Sequence, residues 1–77
     1  MFKITILPEV ASMGVVARGT RKVKGSSVEY EWKVESLDNG CYWLYINGDN
    51  EGIDFKSIKA CKDYVKRLAE STAADLM

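Results

Sequence analysis

A chain of 77 residues fits one domain with a small core, whose net stability is about 3–5 kcal/mol unless a staple or partner adds to it. Hydrophobic residues make up 47%, including four Tyr, two Trp and two Phe, which excludes a disordered chain. Eleven basic and eleven acidic residues cancel, so no overall field draws the chain to nucleic acid or to an anionic membrane.

Residues 2–7 alternate so that Phe2, Ile4 and Ile6 share one face, and Pro8 removes a donor and ends the run. That predicts a first strand. Residues 9–14 have no period. Val15, Val16 and Ala17 then lead into a basic stretch, 18–24, read as a second strand with an exposed edge whose cations discourage pairing with another chain. Gly25, Ser26 and Ser27 supply the turn.

The clearest pattern covers residues 28–36. Val28, Tyr30, Trp32 and Val34 alternate with Glu29, Glu31, Lys33 and Glu35, the signature of a strand with one buried and one wet face. Asn39-Gly40 is turn chemistry, residues 41–46 form a continuous apolar strand, and 47–50 close it. From Ser57 the period becomes helical: Ile58, Cys61, Val65, Leu68 and Thr72 fall on one stripe, with Ser57 placed as N-cap and the helix ending near Ser71. Residues 1–77 are therefore expected to be a single α+β domain, a twisted antiparallel sheet of about four strands in ββββα order packed against one C-terminal helix.

Chemistry-bearing motifs are missing. With no His and only Cys41 and Cys61, zinc sites of the usual Cys/His kind are excluded on ligand count, and two free thiols are expected rather than a disulfide. There is no GxSxG, P-loop or GxGxxG. The segment 49–54 crowds oxygen ligands around Gly52 but lacks calcium-loop spacing and a preceding helix, so it reads as a polar connection. A domain of this size has little room for a deep pocket beside its core. The expectation is a non-enzyme with no cofactor or metal. Met1 is followed directly by a strand-like stretch, and no apolar run nears the roughly 20 residues needed to cross a bilayer. A cytoplasmic protein without membrane association is expected.

The hairpin register decides which face of residues 41–46 is buried, because a one-residue slip exchanges every side chain. A two-residue turn at Asn39-Gly40 pairs Val34 with Tyr45 and sends Cys41, Trp43 and Tyr45 inward. A three-residue loop over 38–40, with Gly40 left-handed, pairs Val34 with Leu44 and sends Tyr42, Leu44 and Ile46 inward. The second is preferred because it puts aliphatic side chains under the helix. Trp43 and Tyr45 then stand on the open face, where large aromatics are the types enriched at binding hot spots.

The expected function is a non-catalytic protein-binding module using Trp43 and Tyr45 with Glu29, Glu31, Lys33 and Glu35 around them. An acidic, aromatic surface of that kind suits a basic groove on a partner protein. The alternative is a nucleic-acid binder presenting Arg18, Arg21, Lys22 and Lys24 to phosphates. Against it stand the neutral total charge and the glutamates interleaved on the next strand. Assembly into a homodimer through exposed strands is a third arrangement.

The stretch 41–48, Cys-Tyr-Trp-Leu-Tyr-Ile-Asn-Gly, followed by Asp54-Phe55-Lys56-Ser57 and a Lys-rich helix with Tyr64, resembles small orphan proteins encoded by bacteriophages and prophages. The resemblance covers about the C-terminal half. Such proteins include inhibitors of host defence of the anti-CRISPR and anti-restriction type, which implies a partner that is a host nucleic-acid-binding complex, occluded sterically or by nucleic-acid mimicry in the host cytoplasm. No functional residue carries over, since that group shares no motif.

Overall fold

The computed structural model describes residues 11–76, so the strand expected over residues 2–7 lies outside the described residues. Four strands and a helix follow in chain order: β1 (Ser12–Lys22), β2 (Glu29–Leu37), β3 (Tyr42–Ile46), β4 (Asp49–Asn50) and α1 (Ile58–Asp75). All neighbouring strands pair antiparallel in the spatial order β1-β2-β3-β4. This is the α+β arrangement the sequence predicts, an antiparallel sheet followed by a C-terminal helix.

β1 begins earlier than the periodicity indicates. Two register shifts, between Ser12 and Gly14 and between Val15 and Ala17, interrupt its ladder with β2. Each such shift moves the following side chains to the opposite face, which erases the two-residue period. Val28, expected to share the buried face of β2, instead precedes that strand and is exposed, its carbonyl accepting from the Val23 amide at 2.9 Å to close the β1–β2 loop.

The β2–β3 hairpin takes the three-residue loop. Val34 pairs with Leu44 and Trp32 with Ile46, while the Leu37 amide donates to the Cys41 carbonyl at 3.0 Å and Gly40 sits at φ 88°. A left-handed residue is required there, which is why Gly40 stands at that position. The closing segment expected at 47–50 is a second, tighter hairpin: Asn47-Gly48 forms its two-residue turn, and Asp49 and Asn50 form β4 opposite Ile46 and Tyr45.

The helix starts where a cap permits. Ser57 is extended and its hydroxyl accepts from the Ala60 amide at 3.0 Å, satisfying one of the orphan donors of the first turn. α1 continues past Ser71 to Asp75. Ala73 and Ala74 favour helix, and Thr72 anchors the stretch, donating to the Leu68 carbonyl at 2.9 Å and sitting 2.8 Å from the Tyr30 hydroxyl of β2.

One face of the sheet packs on α1. Val34, Leu44 and Ile46 meet Cys61, Val65 and Phe55, with Ala17, Tyr30, Trp32, Tyr42 and Leu68 around them. Val34, Leu44 and Cys61 are fully buried, and each fully buried aliphatic side chain of the Val or Leu type contributes about 1.5–3 kcal/mol relative to exposure. The ring of Phe55 meets Tyr64 edge-on with centroids 5.4 Å apart. Both cysteines are free; Cys61 is buried and Cys41 half-buried. Burial pushes the Cys61 thiol up to about 11.

Candidate protein-binding face

Residues paired across an antiparallel ladder share a face, so the register assigns every candidate side chain except Lys24, which lies beyond the ladder. Ala17, Gly19 and Arg21 pair with Val34, Trp32 and Tyr30 on the helix-packed side. Val15, Arg18, Thr20 and Lys22 pair with Glu35, Lys33, Glu31 and Glu29 on the other side, and Trp43 and Tyr45 join it opposite Glu35 and Lys33. The six residues expected to form a protein-binding surface, Glu29, Glu31, Lys33, Glu35, Trp43 and Tyr45, thus stand together on the face away from α1.

Both aromatics are held. The Trp43 indole Nε1 donates to Asp54 Oδ1 at 3.2 Å, which ties the ring to the segment between β4 and α1. Lys33 Nζ lies 4.9 Å from the Tyr45 ring centroid and 3.8 Å from Glu35 Oε2. A cation placed so is attracted by the ring face as well as by the carboxylate. Both aromatics are half-buried, so part of each ring is exposed. Glu31 is positioned by its backbone, its amide donating to Asn47 Oδ1 at 3.0 Å and its carbonyl accepting from the Asn47 amide at 2.7 Å. A shallow groove of about 380 Å³ crosses the face, lined by Val15, Arg18, Glu31, Lys33 and Tyr45 among others.

The register also changes the electrostatics of this face. Arg18 and Lys22 stand among the glutamates, so Glu29, Glu31 and Glu35 share the face with Arg18, Lys22 and Lys33 in alternating rows. The surface is balanced rather than acidic. The basic run is correspondingly divided: Arg18 and Lys22 occupy the open face, Arg21 the helix side opposite Tyr30, and Lys24 lies in the loop beyond β1. Sequence reasoning treats 18–24 as one stretch, although two-residue alternation through a strand separates its neighbours. It also misses Asp54 and Asn47, whose contacts with Trp43 and Glu31 come from chain segments with no periodic signal.

Among the described residues, no group of three or more His, Cys, Asp or Glu side chains gathers where it could hold a metal ion. No described helix is long and apolar enough to cross a membrane. The chain matches no protein-family model, no curated protein and no solved structure.

Proposed function

We propose that this protein is a non-catalytic module that docks another protein on the open face of its sheet. The observation that supports this reading is the pair Trp43 and Tyr45, half-buried on one face and each restrained by a polar partner, Asp54 and Lys33. Aromatics whose rotamers are already fixed lose little entropy on binding, and Trp and Tyr in such positions are the residue types that dominate interface energies. The resemblance of the C-terminal half to phage and prophage orphan proteins gives the reading its concrete form, an inhibitor of a host defence complex acting in the host cytoplasm. Alternating acids and bases suit steric occlusion of a partner with its own mixed charges better than mimicry of a phosphate backbone, which needs an unbroken acidic surface.

The experiment is capture of partners from bacterial lysate by the tagged protein, with and without nuclease, repeated with Trp43→Ala, Glu31→Lys and the helix-surface variant Lys62→Ala. A discrete protein complex is expected to survive nuclease and to tolerate Lys62→Ala. Its affinity should fall about 30-fold with Trp43→Ala, the effect of losing an interface hot spot of about 2 kcal/mol. Retention of the complex by both open-face variants, or recovery of nucleic acid in its place, would remove the proposal.

A further inference from the structure

The basic stretch places three of its cations around a second cavity, which Trp43 does not line. Arg21, Lys22 and Lys24 border a cleft of about 300 Å³ between the end of β1 and the C-terminal half of α1. Its helix side is made of three alanines and Glu70. Ala69 and Ala73, one turn apart, and Ala74 line it, with Ala69 buried beneath. Small side chains here let a ligand approach the helix closely, while the cations stand at the rim. None of the three cations is in an ion pair among the described residues.

We propose that this cleft is a docking site for a peptide segment alternating acidic and small apolar side chains. Carboxylates would meet Arg21 and Lys24, with the fixed fork of the guanidinium suited to a bidentate pair. Apolar side chains would cover the alanines. Three features favour a peptide over a nucleic acid. Among the described residues no aromatic lines the cleft to offer bases a stacking surface. The alanine floor offers nothing to a phosphate. Glu70, on the same wall, can accept from a peptide amide, a donor that a phosphate backbone does not offer. The site shares Lys22 with the edge of the open face but uses neither Trp43 nor Tyr45.

The test is fluorescence anisotropy of the 77-residue protein with a short labelled peptide alternating Glu and Ala, with a labelled oligothymidylate as comparator. Saturable peptide binding is expected. It should weaken at least about tenfold in the double variant Arg21→Glu/Lys24→Glu, both positions being exposed on the folded protein, and remain unchanged in Trp43→Ala. Ala73→Lys separates shape from charge. It adds a cation but fills the floor, so the peptide should bind more weakly. Stronger peptide binding by Ala73→Lys, tighter binding of the oligothymidylate than of the peptide, or absence of saturable peptide binding would each overturn the proposal.

Discussion

Gly19 of β1 lies directly across the ladder from Trp32 of β2, and a Cβ built on Gly19 would come within 2.9 Å of Trp32 Cζ2 and 3.3 Å of its Nε1. The indole therefore lies over the glycine, occupying the space any other residue would fill. Trp32 in turn packs against the core that α1 covers. Gly19→Ala should force the ring aside and destabilise the fold by about 1–2 kcal/mol, the usual cost of overpacking less the small gain from a stiffer unfolded chain. Urea unfolding followed by circular dichroism measures it. Adding Trp32→Leu to Gly19→Ala should recover part of the loss relative to Trp32→Leu alone; full additivity of the two changes would show that the ring and the glycine do not interact.

Asn47 does two jobs in one turn. It adopts φ 53°, left-handed, and its Oδ1 accepts from the Glu31 amide. Left-handed backbone favours Gly, Asn and Asp, and the side-chain bond fastens the β3–β4 turn to β2 beneath the open face. Asn47→Gly keeps the backbone but loses the bond, at a cost of about 1 kcal/mol. Asn47→Ala loses both and should cost about 1 kcal/mol more. The ordering, wild type above Gly above Ala in chemical denaturation, is the result to check. Equal stability of the two variants would mean that the conformation contributes nothing.

Legibility followed regularity. β2 and β3 were readable because Tyr30, Trp32 and Val34 alternate without interruption and Gly40 favours the loop that pairs Val34 with Leu44. The helix was readable because Ser57 and the stripe through Cys61 and Val65 agree. The start of β1 was hidden by its register shifts, and β4 by its length, since two residues carry no period. Trp43 and Tyr45 fell on the expected face once the register held. What the sequence could not indicate was long-range: Asp54 reaching Trp43, Arg18 and Lys22 neutralising the acidic face, and the end of β1 meeting the alanines of α1. Such contacts depend on twist and packing across many residues and leave no local pattern.

Two buried or bonded acids make stability fall on the alkaline side. The Tyr64 hydroxyl donates to Glu51 Oε1 at 2.9 Å, and this bond to the carboxylate, then desolvation, raises the phenol above its ordinary value of 10.0. Desolvation raises the Cys61 thiol from 9.0 to about 11. In both cases the fold favours the neutral form, so the unfolded chain releases the proton first. Their stabilisation is complete below about pH 9, the unperturbed thiol value, and is lost as pH rises through the folded values. The urea midpoint should therefore decline from pH 9 toward pH 11. Tyr64→Phe should lower stability at neutral pH by about 1 kcal/mol, one half-buried hydrogen bond, and flatten the part of the decline above pH 10. Glu51→Gln keeps an acceptor while removing the charge, and should flatten the same region at smaller cost. A midpoint that stays level across that range in the unaltered protein would show that neither proton is held by the fold.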